Sequence, residues 1–90
     1  MNKRTGIFLI KNQLGLHARA AASFVKIANR YSSEIIVSKE KVKVNGKSIM
    51  GVLMLAAAKG SSINIEVIGD DASEALEALA NLIDNKFGEE

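Results

Sequence analysis

Ser62-Ile63-Asn64-Ile65-Glu66-Val67-Ile68 is the stretch that decides the fold class. Ile63, Ile65 and Val67 alternate with Asn64, Glu66 and Ile68. Successive side chains on a strand point to opposite faces, so this period of two predicts a strand with one buried face. Half-buried strands of this kind are characteristic of an antiparallel sheet covered on one side.

The neighbouring segments extend that reading. Downstream, Asp71-Ala72-Ser73-Glu74 has capping-box character, an Asp cap with Glu three residues on. The helix it opens turns Ala72, Ala75, Leu76, Leu79, Leu82 and Ile83 inward, and Gly88 follows its end. Upstream, Ser48 can cap a short helix running to about Ala57, with Gly60 suited to its C-terminal side. Before it, Lys41-Val42-Lys43-Val44 alternates strictly and predicts a strand with its lysines outward, turned by Asn45-Gly46. Glu34 to Ser38 reads as another strand, preceded by a break at Ser32-Ser33. Ala18 to Tyr31 contains no Gly or Pro, and Ala21, Phe24, Val25 and Ala28 share one helical face. Gly6 to Ile10 is expected to be a short buried strand, followed by turn chemistry at Asn12 to Gly15. The order strand, helix, strand, strand, helix, strand, helix predicts one α+β domain over residues 1–90.

Composition narrows the function. Hydrophobic residues make up 48% of the 90, enough for one core but with little room for a substrate cavity beside it. This favours a binding or carrier module over a stand-alone enzyme. Twelve Lys+Arg against ten Asp+Glu give a net charge of +2, too mild to require nucleic acid as a partner. Phe8, Phe24, Tyr31 and Phe87 form no stacking pattern. Without cysteine and with one histidine, neither a disulfide nor a zinc site is expected, and no cofactor-binding motif is present. Ile7 to Ile10 is too short for a signal peptide, and Ile49 to Ala58 is too short to span a membrane. The expectation is a cytoplasmic protein with no direct membrane insertion.

That single histidine, His17, lies in Gly15-Leu16-His17-Ala18-Arg19-Ala20-Ala21-Ala22, where the turn gives way to helix. A neutral imidazole can accept a phosphoryl group and pass it on. The unpaired N–H groups of a first helical turn, with the guanidinium of Arg19, would compensate the phosphate charge. From the spacing alone, a partly exposed histidine beside a solvated arginine is the favoured reading, because His-x-Arg is a weak pattern. Ile49, Met50, Val52, Leu53, Met54 and Leu55 cover more than one face of the Ser48 helix. Either some of them form an exposed docking patch or the helix is buried on two sides. Lys39, Lys41 and Lys43, with Lys47 nearby, read as a solvated strand face.

Two segments together resemble a known family: Gly15-Leu16-His17-Ala18-Arg19, and Lys47-Ser48-Ile49-Met50-Gly51-Val52-Leu53 with Ala58-Lys59-Gly60. At this separation and in this order they are similar to HPr, the histidine-containing phosphocarrier family of the bacterial phosphoenolpyruvate-dependent sugar phosphotransferase system. The resemblance implies an open-faced sandwich, a four-stranded antiparallel sheet with three helices on one face. It implies that His17 is the phosphoryl acceptor and donor, loaded on Nδ1 by enzyme I and unloaded onto enzyme IIA proteins, without turnover of its own. Arg19 would steady the phosphoryl group. Ser48 would match the serine that an HPr kinase/phosphorylase modifies in some bacteria. Ala22, Ile49, Met50 and Leu53 fall at partner-facing positions. A monomer without a cofactor is implied. The alternative is a mainly regulatory interaction protein of a nitrogen-type or kinase-controlled phosphotransferase branch, read by a transcriptional regulator, with no sugar-transport role. The family commonly reads His-Ala-Arg-Pro-Ala, and Ala20 stands where that proline would be. Alanine keeps the helix possible while restraining the turn less.

Overall fold

The structure, a computed structural model, describes residues 2–89. Its elements are β1 (Lys3–Leu9), α1 (Ala18–Ala28), β2 (Glu34–Lys39), β3 (Val42–Asn45), α2 (Ile49–Met54), β4 (Ser62–Ile68), α3 (Ala72–Asp84) and a closing 3-10 turn, Lys86–Gly88. The four strands form one antiparallel sheet in the order β1-β4-β2-β3. The three helices cover one face, giving the open-faced sandwich.

β4 takes an interior place because its alternation supplies three fully buried side chains. Ile63, Ile65 and Val67 face the helices while Ser62 and Asn64 are exposed. Val67 lies opposite Arg4 on β1 and Ile35 on β2, and Ile65 lies opposite Gly6 and Val37. Ile35 and Val37 continue the buried layer on β2. Above it, α1 contributes Ala20, Ala21, Phe24, Val25 and Ala28, and α3 contributes Ala72, Ala75, Leu79 and Ile83. α3 packs over β1 and β4, and α1 packs against α3 and α2.

The structure corrects several expectations. β1 begins at Lys3 and is an edge strand, so Ile7 and Leu9 emerge on the open face rather than being buried. They share that face with the ion pair of Lys3 Nζ and Glu66 Oε2 (2.6 Å), which lowers the Glu66 carboxyl. Leu76 and Leu82 on α3 do turn inward as expected, half-buried and packed against the core. α1 ends at Ala28, three residues before Tyr31. α2 ends at Met54 rather than near Ala57; the first positive-φ residue after it is Ala56 (φ 49°), and Gly60 (φ 91°) follows further along the loop. Lys39, Lys41 and Lys43 do not share a face. Lys39 lies opposite Val42 and two residues from buried Val37, so it points to the helix side, where its Nζ donates to Leu55 O (3.5 Å). Lys41 sits in the β2–β3 turn.

Asp71 does precede α3, but its side chain makes no cap hydrogen bond. It accepts instead from Ser32 N (2.9 Å), Ser33 N (3.0 Å) and both serine hydroxyls. The carboxylate thus ties the chain entering β2 to the start of α3. The hydroxyl of Ser33 chiefly, with the Ser32 and Ser33 amides and the Ser32 hydroxyl, lowers the Asp71 pKa from 3.8 to about 2. A depressed folded pKa stabilises the fold above the unfolded value, and that stability is lost as pH falls through the folded one. Asp71→Asn should therefore melt at lower temperature than wild type at neutral pH. Between pH 3.8 and about 2, the Tm of the variant should depend less steeply on pH than that of the wild type. Parallel Tm-against-pH curves in calorimetry would contradict this role.

Candidate active site

The site forms where the β1–α1 turn, the start of α1 and the C-terminal segment meet. Asn12 is fully buried, and its Nδ2 donates to Gly15 O (2.7 Å), closing the turn. Gly15 has φ +66°, and a Cβ there would come within 2.5 Å of Ala57 O, so only glycine fits. The following amide, Leu16 N, donates to that same Ala57 O (2.9 Å), docking the turn on the loop after α2.

His17 is the N-cap of α1, with extended backbone (φ −76°, ψ 179°). Its Nδ1 accepts from Arg19 N (3.1 Å) and Ala20 N (3.3 Å), the role usually filled by a serine or aspartate oxygen. A ring nitrogen that accepts carries no proton, so this pattern assigns the proton to Nε2 and leaves the Nδ1 lone pair directed at the helix terminus. An anion bonded to Nδ1 meets those two N–H groups and the positive end of the helix dipole. The ring is partly accessible, its side chain 29% exposed. Ala20 has a consequence here that proline would not, because proline lacks the N–H that reaches Nδ1.

On the other side of the ring, Nε2 lies 3.3 Å from Glu89 Oε2. Oε2 also accepts from Asn12 Nδ2 (3.2 Å), and Oε1 accepts from Leu14 N (3.0 Å). These contacts, Asn12 foremost, hold the Glu89 carboxyl below the usual carboxylate range. A hollow of about 340 Å³ opens beside the ring, lined by Leu14, Arg19, Ala20, Phe87, Gly88 and Glu89 as well as His17. Arg19 is exposed, and its guanidinium pairs with no carboxylate among the described residues. A larger hollow of about 470 Å³ lies against β2 and β3 and brings no histidine or serine together.

Ser48 is the N-cap of α2, half-buried, its Oγ accepting from Gly51 N (3.0 Å). Of the two readings of α2, the structure favours the exposed one. Only Val52 on the helix is buried, while Ile49, Met50 and Met54 are 45%, 71% and 70% exposed. Leu53 is half-buried, and Ala22 is exposed on the adjoining α1. Leu14, 67% exposed, adds to the apolar surface beside the hollow. Asn12, Leu14, Phe87 and Glu89 were not singled out by the sequence as parts of the site. Among the described residues, no cluster of three or more His, Asp or Glu side chains suits a metal ion, and no helix is long and apolar enough to cross a membrane.

The open-faced sandwich with an accessible imidazole capping a helix defines a class, that of small histidine-bearing carrier domains. The family model described as the PTS HPr component phosphorylation site matches residues 5–85. The phosphocarrier protein HPr of Neisseria meningitidis is 54% identical over 80 residues, covering 89% of this chain and 90% of that protein. A crystal structure of HPr-C-His from Thermoanaerobacter tengcongensis matches with TM-score 0.90 at 49% identity, over 100% of this chain and 99% of the other. One of HPr from Bacillus anthracis matches with TM-score 0.87 at 43% identity, over 92% and 99%. The chain belongs to the HPr family of phosphocarrier proteins of the phosphotransferase system. It is a phosphocarrier that works with other proteins of that system, not an enzyme with independent turnover.

Proposed function

We propose that His17 is the phosphoryl acceptor and donor, receiving the group from enzyme I and passing it to enzyme IIA proteins. The observation that carries this reading is the Nδ1 lone pair held against two backbone N–H groups at a helix start. Phosphoryl transfer asks a protein mainly for positioning and charge compensation, and the site supplies both. Arg19, paired with no carboxylate among the described residues and lining the hollow, swings onto the phosphoryl oxygens. Ala22, Ile49, Met50 and Leu53 form the docking surface, whose flexible Met50 adapts to more than one partner. The chain acts as a single-domain cytoplasmic monomer. Incubation with phosphoenolpyruvate and enzyme I should add one acid-labile phosphoryl group, which an enzyme IIA then removes. No incorporation, or label that IIA leaves in place, would contradict the carrier role.

A regulatory role at Ser48 is favoured by its place as the cap of the helix that exposes Ile49, Met50 and Met54. A structural neighbour, the Bacillus subtilis catabolite repression HPr, Crh, is 39% identical with TM-score 0.71. Phosphorylation of Ser48 by an HPr kinase/phosphorylase would set a dianion beside the apolar patch, altering which partner, a transcriptional regulator included, docks there. Aspartate is itself a good N-cap, so Ser48→Asp should keep its Tm while changing charge. Its affinity for enzyme I should fall roughly tenfold in titration calorimetry. Unchanged affinity would remove Ser48 from the docking surface.

A further inference from the structure

The carboxylate on the far side of the imidazole is unexplained by phosphate binding, since it carries the same sign of charge as the group to be transferred. Glu89 is nevertheless built into the site by three donors: Asn12 Nδ2, Leu14 N and His17 Nε2. Asn12 is fully buried and holds both the active-site turn and this carboxylate. The arrangement puts Glu89 against Nε2 alone, while Nδ1 faces Arg19 N and Ala20 N.

We propose that Glu89 is a positioning residue that keeps the proton on Nε2 of His17 while Nδ1 carries the phosphoryl group, and so keeps the carrier competent to give it up. The proposal rests on His17 being the phosphoryl carrier. When the Nδ1 lone pair attacks phosphorus, an N–P bond forms. The bond from phosphorus to the donor breaks, and its electron pair returns to the donor. The ring, still bearing its Nε2 proton, becomes cationic. On delivery the acceptor attacks phosphorus, the P–Nδ1 bond breaks, and its electrons neutralise the ring. No proton moves in either step. If Nε2 loses its proton in between, the leaving group becomes an imidazolate, which departs poorly. A carboxylate 3.3 Å from Nε2 disfavours that loss. Among the described residues, the charged side chains lining the hollow are Arg19, from α1, and Glu89, from the C-terminal segment. Arg19 opposes a ring cation, so Glu89 is the side chain there that favours it.

The test compares wild type, Glu89→Gln and Glu89→Ala, each loaded with phosphate by enzyme I. The ring nitrogens of the phosphorylated form are followed by nitrogen-15 NMR against pH, and delivery to an enzyme IIA is timed over the same range. In both variants the Nε2 proton should be lost at lower pH, by on the order of one unit. The alkaline limb of the delivery rate should move with it, giving a several-fold slower transfer near pH 8, while the thermal melt of Glu89→Gln shifts little. A change in packing alone would not move the two titrations together. Superimposable pH profiles, or faster delivery by the variants, would overturn the proposal while leaving the carrier reading intact. Failure of wild type to accept phosphate would instead sink the carrier reading.

Discussion

His17→Ala will accept no acid-labile phosphoryl group from enzyme I, while its fold persists. The side chain supplies the nucleophilic lone pair, and no second histidine exists in the 90 residues. Its other structural task is the N-cap, for which alanine typically costs about 0.5–2 kcal/mol. The variant should therefore melt somewhat earlier yet keep its secondary structure by circular dichroism. His17→Asn separates the two tasks, because asparagine caps well and cannot carry the phosphoryl group. It should recover most of the lost stability and none of the phosphorylation. Residual acid-labile labelling in either variant would place the acceptor elsewhere.

The largest effect on stability is expected from Phe24→Ala. Phe24 is fully buried on α1, among Ala20, Ala21, Val25 and Ala28. Truncating a buried phenylalanine typically costs about 3–5 kcal/mol, through lost transfer free energy and the cavity left behind. Domains of this kind are stable by roughly 5–15 kcal/mol, so about a fifth or more of the total is at stake. The urea midpoint should fall with little change in slope. Because Phe24 holds the helix that begins at His17, phosphoryl acceptance should decline only as the variant unfolds. A loss well below 1.5 kcal/mol would mean that the core closes over the gap.

How much of this was legible depends on whether a residue's partner is near in sequence. β4 runs over the residues that its alternation marks, Ser62 to Ile68, because a buried interior strand has no freedom to shift its faces. The face of α1 was readable for the same reason. β1 is not legible in this way, since Ile7, Phe8, Leu9 and Ile10 are all apolar, and only the sheet order shows that it is an edge with Ile7 in water. Asp71 carries the spacing of a capping box, yet the Ser32 and Ser33 donors, 39 and 38 positions away, compete for its oxygens and win. In the site, His17 and Arg19 stand close enough together to be noticed as a pair. Glu89 is 72 positions from His17, in a segment with no motif, and only the folded path of Phe87 and Gly88 returns it to the ring.

The central claim is that the phosphoryl group resides on Nδ1 of His17, between Arg19 N and Ala20 N, with Nε2 facing Glu89. The most direct measurement is phosphorus–nitrogen coupling in the nitrogen-15-labelled protein after loading by enzyme I. The arrangement predicts a single phosphorus resonance coupled to Nδ1, with a proton retained on Nε2. A phosphorus coupled to Nε2, or carried by Ser48, would contradict it.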